Sequence, residues 1–229
     1  MTRIDKLQSE VIACERCQRL RAHCRKISKK KRRAYMDWDY WGRPVPSFGD
    51  PKARLLIVGL APGAHGANRT GRMFTGDSSG DFLYSTLYDT GFASQPTAEA
   101  KGDGLELTDA YITAPVHCAP PDNKPTREEF DKCRPFLERE LDLLRNVQAV
   151  VTLGQLGLGS YLAVLHQQEK ISKRSLYPFG HGLRYVLPGN LPQLFCSYHP
   201  SRQNTQTGRL TREMFHEVFA SARRALEGP

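Results

Sequence analysis

A short apolar run that leads into a glycine-rich polar loop and then a helical pattern is the feature that most constrains this fold. The run, residues 55–58, has the composition of a strand buried on both faces. The loop, residues 59–80, contains six glycines and a single carboxylate, Asp77. Glycines allow the backbone to approach another group closely. Strand, loop and helix in this order predict an open α/β sheet with a ligand site beyond the carboxyl ends of its strands.

The same alternation continues along the chain. Further strands are predicted at residues 109–116, 147–153 and 194–198, and helices at 81–88, 126–145, 154–165 and 211–226. A helix interrupted near its end is predicted for residues 2–22, and a short β excursion for 176–188. Because strands alternate with helices, we predict one domain, residues 1–229, built on a mostly parallel sheet with helices on both faces.

The charge of the chain is strongly positive and concentrated near the N-terminus. The net charge is +9, and residues 25–33 carry seven positive side chains in nine residues. Four aromatic residues follow at once: Tyr35, Trp38, Tyr40 and Trp41. Basic side chains neutralise phosphates and aromatic rings stack on bases, so this segment predicts contact with nucleic acid. The alternative is a solvated, disordered loop or a targeting signal.

Several other classes of protein are disfavoured. No segment has the length and apolar character of a membrane span, and the N-terminus lacks a signal-peptide core. We therefore expect a cytoplasmic protein, associated with the nucleoid if it is prokaryotic. The GQLGLG sequence at residues 154–159 lacks the ending of a phosphate loop and predicts only a tight strand-to-helix turn.

Four of the six cysteines have the placement of a metal site. Cys14 and Cys17 are separated by two residues, Cys118 follows the second strand, and Cys133 lies early in the next helix. Four such thiolates can hold zinc or an iron–sulfur cluster, and their spacing does not separate the two. The alternative is that all four are small buried packing residues, which is the role we expect for the remaining cysteines, Cys24 and Cys196. Cys24 is the alternative ligand, although its spacing from Cys17 is less tight.

Three polar residues lie in loops that follow predicted strands: Asp77, Asn123 and His199. A carboxylate can position a water molecule, a histidine can hydrogen-bond a leaving group, and an amide can recognise the edge of a planar ligand. The alternatives are a helix cap for Asp77, a turn residue for Asn123 and a packing residue for His199. Convergence of all three would form a catalytic pocket.

Three long motifs carry a resemblance to a known family. They are GLAPGAHGANRTGRMFTGDSSG (59–80), CAPPDNKPT (118–126) and YHPSRQNTQTGRLTREMF (198–215). Together they resemble family 5 uracil-DNA glycosylases, the B-type enzymes, and the resemblance covers nearly the whole chain. It implies a three-layer α/β/α sandwich around a four-stranded parallel sheet. It also implies hydrolysis of the N-glycosidic bond of uracil, hypoxanthine or xanthine in DNA, the first step of base excision repair.

The resemblance also implies a cofactor and roles for individual residues. A 4Fe–4S cluster is expected on Cys14, Cys17, Cys118 and Cys133. Asp77, Asn123 and His199 are the expected catalytic residues, and Phe74 is expected to stack on a flipped base. The expected base pocket is completed by Gly59, Ala61, Gly63 and Ala114. The expected DNA contacts are Lys30, Lys31, Arg202, Asn204 and Arg209.

Two positions separate this chain from related families. Those families place a polar residue within the first glycine motif and an asparagine near the end of the second strand, where this chain has Leu60-Ala61-Pro62 and Ala114. Fewer buried polar groups reject unfamiliar bases less strongly, so broad base specificity is expected. Two alternatives remain open: a strictly uracil-specific enzyme of the neighbouring iron–sulfur family, and a non-catalytic, metal-stabilised DNA-binding module. The expected partner is damaged DNA; we expect a monomer that hands abasic sites to later repair enzymes.

Overall fold

The computed structural model describes residues 2–228, in which six strands form one sheet. The strands are β1 (Phe48–Gly49), β2 (Leu55–Val58), β3 (Ala110–Thr113), β4 (Ala149–Leu153), β5 (Arg184–Tyr185) and β6 (Gln193–Ser197). Their order across the sheet is β1-β3-β2-β4-β6-β5. The four central strands are parallel, as predicted, whereas β1 and β5 pair antiparallel at the two edges. The four predicted parallel strands thus form the centre of a six-stranded sheet. Strand β5 lies within the β excursion predicted for residues 176–188, whereas β1 was not predicted, because a two-residue strand is too short to show an apolar pattern.

Eight α-helices surround this sheet in the described part of the chain. They are α1 (Arg3–Ile12), α2 (Gln18–Lys30), α3 (Ala67–Thr70), α4 (Ser78–Asp89), α5 (Arg127–Leu143), α6 (Gly154–Gln167), α7 (Arg202–Gln206) and α8 (Arg212–Glu227). Helices α4 and α8 pack on one face of the sheet, and α1, α5 and α6 on the other. The predicted α/β/α sandwich is confirmed.

Strand β2 shows why both faces need a helical cover. All four of its residues are buried, with Leu55 and Ile57 in the core under α4 and α8, and Leu56 and Val58 in the core under the other helices. Alternate side chains of a strand point to opposite faces, so a fully apolar strand requires apolar partners on both sides. The helices on each face supply those partners.

The N-terminal segment differs from its prediction. Instead of one interrupted helix over residues 2–22, two helices flank a turn at residues 13–17, and the second continues to Lys30. Most of the basic run is therefore helical rather than a loop. Leu20 and Cys24 bury the inner face of α2, which leaves Arg25, Lys29 and Lys30 exposed on the outer face. None of the helices within residues 2–228 is both long and apolar enough to cross a membrane.

Candidate active site

The carboxyl ends of the four parallel strands form one edge of the sheet, and the candidate residues lie along it. Gly59 follows β2, Ala114 follows β3, Gly154 follows β4, and His199 comes shortly after β6. The N–H of Gly59 donates to the carbonyl of Thr113 at 2.9 Å, which joins two of these loops. Parallel strands direct all the following loops to the same side, so the site predicted beyond the strand ends has a floor of small residues.

Phe74 and His199 stack on each other at this edge. Their ring centroids are 5.8 Å apart and the interplanar angle is 29°. Phe74 has a φ of 52°, in the left-handed region that a phenylalanine rarely adopts. A Cβ on Gly59 would lie 2.9 Å from the Phe74 ring, so glycine leaves the space that this ring occupies. Backbone strain at such a residue is characteristic of functional sites.

Asp77 is the N-cap of α4. Its Oδ1 accepts hydrogen bonds from the backbone N–H groups of Ser79 and Gly80, each at 3.1 Å. Its Oδ2 faces the glycine loop, where a Cβ would lie 2.7 Å from it at Gly63 and 1.9 Å at Gly66. Asp77 therefore does cap the helix, which was one of the two roles predicted from the sequence, but the cap uses only one of its two carboxylate oxygens.

Burial raises the pKa of Asp77, and the two N–H groups that it caps oppose this shift. The nearby Asp81 raises it further, whereas the Arg69 guanidinium lowers it. Hydrogen bonds and positive charge favour an ionised carboxylate, while burial disfavours it. On balance the pKa of the Asp77 carboxyl is raised, because the effect of burial is the largest.

His199 is a neutral base in this environment. Burial lowers its pKa to about 4, so the imidazole carries no charge at neutral pH. Its backbone carbonyl accepts hydrogen bonds from the Asn204 Nδ2 at 2.8 Å and from the Ser201 N–H at 2.7 Å. A Cβ on Gly154 would lie 3.3 Å from the His199 Cβ, so the turn after β4 packs closely against it. A neutral imidazole can donate one N–H without adding positive charge.

Asn123 is placed differently from the other two predicted catalytic residues. It ends a 3₁₀ turn, Pro121–Asn123, in the loop that follows β3, and both Asp122 and Asn123 have positive φ angles, 53° and 56°. Its side chain is exposed and makes no hydrogen bond within residues 2–228. The structure brings the half-buried Asp77, Phe74 and His199 to the carboxyl edge of the sheet, and it leaves the amide of Asn123 on the surface.

The aromatic segment after the basic run packs on the protein itself. Tyr35 and Trp38 lie over the two sides of the Arg69 guanidinium, with ring centroids 3.9 and 4.1 Å from its Cζ. The Tyr40 hydroxyl is 3.0 Å from Nδ1 of His65. These aromatic groups are therefore already engaged, and the prediction that they stack on bases is not supported by their contacts. The sequence did not predict that Arg69 contacts these rings, although aromatic residues often have a cationic partner.

The predicted DNA-contact residues fall into two groups. Lys30 and Arg202 are exposed, and the exposed guanidinium of Arg209 lies 4.6 Å above the ring of Tyr198. Lys31 instead donates through Nζ to the carbonyl of Met36 at 2.9 Å, and Asn204 holds the turn at His199. Lys31 and Asn204 therefore stabilise local structure, because their side chains donate hydrogen bonds to nearby backbone carbonyls.

The four predicted metal ligands line one small cavity, between the α1–α2 turn, the loop after β3 and the first turns of α5. They are Cys14, Cys17, Cys118 and Cys133. Burial raises the pKa of Cys133 to about 12, and the charges of the Cys14 and Cys17 thiolates contribute to the rise. Within residues 2–228, no three potential ligands lie close enough to hold a single metal ion. Four cysteine thiolates can bind an iron–sulfur cluster.

The other two cysteines lie outside this cavity. Cys24 is fully buried, with its Sγ 3.6 Å from the carbonyl of Ala119. Cys196 lies within β6 beside Thr152. The position of Cys196 agrees with the packing role predicted for it, whereas the thiol of Cys24 also hydrogen-bonds the predicted ligand Cys118.

Comparison with known proteins identifies the family. Residues 46–223 match the model of the Uracil DNA glycosylase superfamily. The chain is 52% identical to a type-5 uracil-DNA glycosylase of Thermus thermophilus over 212 residues, 93% of either chain. It is 44% identical to a type-5 uracil-DNA glycosylase of Pyrobaculum aerophilum over 218 residues, 95% of this chain and 91% of that protein.

A relative from the neighbouring group is more distant. The chain is 30% identical to a type-4 uracil-DNA glycosylase of Sulfurisphaera tokodaii over 156 residues, 68% of this chain and 56% of that protein. The type-5 matches are both stronger and nearly complete, and they extend over the strand-end loops described above. The chain therefore belongs to the uracil DNA glycosylase superfamily and, within it, to the type-5 uracil-DNA glycosylases, a group of glycosylase enzymes.

Proposed function

We propose that this protein hydrolyses the N-glycosidic bond of uracil and of other deaminated bases in DNA. The observation that carries the proposal is that two functional groups lie at the same edge of the sheet. One is the carboxylate of Asp77, whose Oδ2 is not used by the helix cap, and the other is the neutral imidazole of His199, which stacks on the strained Phe74. The relatives named as type-5 uracil-DNA glycosylases support DNA containing uracil as the substrate.

The reaction requires a flipped nucleotide, because the bond to be cut is unreachable within a stacked duplex. The flipped base enters at the strand ends and stacks on the Phe74 ring. As the glycosidic bond breaks, positive charge develops on the sugar and negative charge on the base. Oδ2 of Asp77 orients the attacking water and offsets the positive charge, while Oδ1 stays bound to the start of α4.

The departing base acquires its charge on the side facing His199. The neutral imidazole donates an N–H to an oxygen of that base, which stabilises the anion without protonating it. Asn123, on the surface loop after β3, supplies an amide to the base edge once DNA covers the loop. Lys124 is the single lysine in the three motifs and is exposed, so we propose a monofunctional hydrolase without a Schiff-base step.

The pocket accepts more than one base. Ala114 is buried at the end of β3 and Ala61 is partly buried in the glycine loop, and neither offers a polar atom beyond its backbone. A pocket that rejects a base strongly does so by leaving its own buried polar groups unpaired. With apolar side chains at both positions, hypoxanthine and xanthine meet little such penalty.

We infer that Cys14, Cys17, Cys118 and Cys133 hold a 4Fe–4S cluster. Their shared cavity supports the assignment, because it brings together the four thiols that such a cluster requires. When bound, the cluster supplies a covalent cross-link between the α1–α2 turn, the loop after β3 and α5. It therefore anchors the loop that carries Asn123.

DNA itself is the proposed partner. The exposed Lys30, Arg202 and Arg209 contact phosphates, and DNA as substrate supports the expected location beside the chromosome in the cytoplasm. We propose that the enzyme acts as a monomer and leaves an abasic site for the next repair enzyme.

A glycosylase assay tests the proposal. Duplexes that carry uracil, hypoxanthine or xanthine are incubated with the protein, and strand cleavage by alkali then reports abasic sites. We expect product from all three duplexes. Product from the uracil duplex alone would indicate a strictly uracil-specific enzyme. Binding of DNA without any product would indicate a non-catalytic DNA-binding module.

A further inference from the structure

Arg69 is a buried cation enclosed by aromatic rings. Only 3% of its surface is exposed, and its guanidinium lies between the rings of Tyr35 and Trp38, at 3.9 and 4.1 Å. Cation–π contacts of this kind are stronger when water is excluded. Together with the contact between Tyr40 and His65, this side chain holds the aromatic segment after the basic run against the glycine-rich loop.

The hydrogen bonds of Arg69 lead to the peptide that precedes Asp77. Its Nε donates to the carbonyl of His65 and its Nη2 to the carbonyl of Gly76, both at 2.8 Å. Gly76 has a φ of 79°, and a Cβ there would lie 2.4 Å from Nη2, so glycine is needed for this approach. The carbonyl that Arg69 holds belongs to the peptide that joins Gly76 to Asp77.

The charge of Arg69 has no carboxylate of its own. Within residues 2–228 it forms no salt bridge, and its buried Nη1 has no hydrogen-bond partner. Arg72 in the same loop is equally buried but forms two hydrogen bonds with Asp103, at 2.8 and 2.7 Å. An unpaired buried charge is costly, so its retention beside a catalytic loop calls for a function.

Asp77 is the carboxylate on which this charge acts. Besides Arg69, the groups that face Asp77 are Asp81 on the next turn of α4 and the buried phenol of Tyr84. Asp81 opposes ionisation of Asp77, and burial raises the pKa of Tyr84, which keeps the phenol neutral. The guanidinium of Arg69 is thus the positive side chain that favours the charged form of Asp77.

We propose that Arg69 is a positioning residue for the reaction: it fixes the Gly76–Asp77 peptide and places a permanent positive charge beside Asp77, while Tyr35 and Trp38 exclude water from it. This inference rests on the proposed catalytic role of Asp77. It also gives the aromatic segment a task within the enzyme.

The test is the pH dependence of the single-turnover rate on a uracil duplex. In Arg69→Gln, we expect the midpoint of the acid limb to move to higher pH, because Asp77 loses its positive neighbour. Arg69→Lys retains the charge, so its midpoint should return toward the wild-type value even if its maximal rate stays lower. Loss of a merely structural side chain would lower stability without moving this midpoint.

Two further variants keep the test decisive. Arg72→Gln is the matched control, since it removes an equally buried arginine whose charge is paired with Asp103; it should lower stability and leave the midpoint unchanged. Trp38→Leu replaces a partly exposed ring and admits water to one side of the Arg69 guanidinium. Water screens the charge of Arg69, so the midpoint should move upward by less than in Arg69→Gln. If Arg69→Gln folds and its midpoint is unmoved, the inference is wrong; if Arg69→Gln does not fold, an unmoved midpoint in Trp38→Leu refutes it.

Failure of this inference is distinguishable from failure of the proposed function. An Asp77→Asn variant that retains the wild-type rate would refute the role of Asp77 itself. An inactive Asp77→Asn variant together with an unchanged acid limb in Arg69→Gln would refute only the role of Arg69.

Discussion

Gly66 and Asp77 are packed so tightly that a Cβ on Gly66 would lie 1.9 Å from Oδ2 of Asp77. The two residues belong to different parts of the glycine-rich loop, since Gly66 precedes α3 and Asp77 begins α4. Because Oδ1 is held by the N-terminus of α4, the position of Oδ2 is set by how closely the Gly66 backbone can approach. The glycine content of this loop is thereby linked directly to the geometry of the proposed reaction.

The contact between Gly66 and Asp77 gives the first prediction. Gly66→Ala should displace Oδ2 and lower the single-turnover rate on a uracil duplex by about 100-fold, the cost of roughly 1 Å of misplacement. Gly159→Ala is the control, because a Cβ on Gly159 in α6 meets no atom within 4 Å. The control should keep full activity and gain about 1 kcal/mol of stability from alanine in a helix. Equal rates for the two variants would contradict the prediction.

The division of labour within Asp77 gives the second. Asparagine caps a helix as well as aspartate does, so Asp77→Asn should leave the melting temperature and DNA affinity nearly unchanged. It removes the negative charge, and the single-turnover rate should fall by about 10²- to 10⁴-fold. Rapid-quench kinetics and fluorescence anisotropy measure the two effects separately. A rate within a few-fold of the wild type would mean that Asp77 only caps α4.

The low pKa of His199 predicts how stability depends on pH. The unfolded chain takes up a proton at this position near pH 6.5, whereas the folded protein does so only near pH 4, so stability is lost as pH falls through this window. The contribution is roughly 3–4 kcal/mol at the acid end, from about 1.4 kcal/mol for each pKa unit. His199→Phe keeps a ring against Phe74 and should lose correspondingly less stability between pH 7 and pH 4 in urea unfolding. If the wild type and His199→Phe lost the same unfolding free energy between pH 7 and pH 4, His199 would be protonated as easily in the folded protein as in the unfolded chain.

The cysteine cavity predicts a coloured protein. Purified protein should be brown, with a broad visible absorption band and iron and acid-labile sulfide in equal amounts. Serine at Cys14, Cys17, Cys118 or Cys133 should remove both colour and iron. Cys24→Ser and Cys196→Ser should retain them, because neither thiol lines the cavity. A colourless, zinc-loaded and fully active enzyme would refute the cluster.

The sequence determined those parts of this protein that depend on local pattern. The four apolar runs, followed by helical periodicity, predicted the parallel strands and the helices on both faces. The capping box at Thr126 and Glu129 marked the start of α5, where the structure shows both of its hydrogen bonds. Motifs that are continuous in the chain were sufficient to indicate the family, because each residue in them is constrained by its immediate neighbours.

Only the tertiary structure decided which side chains share an environment. It placed Tyr35 and Trp38 on Arg69, and it made the basic run part of α2 because Leu20 and Cys24 bury one face of that helix. It also left Asn123 exposed, whereas Asp77 and His199 are half-buried. These outcomes depend on burial: a charge or ring removed from water must find a partner, and packing between segments far apart in the chain selects which one.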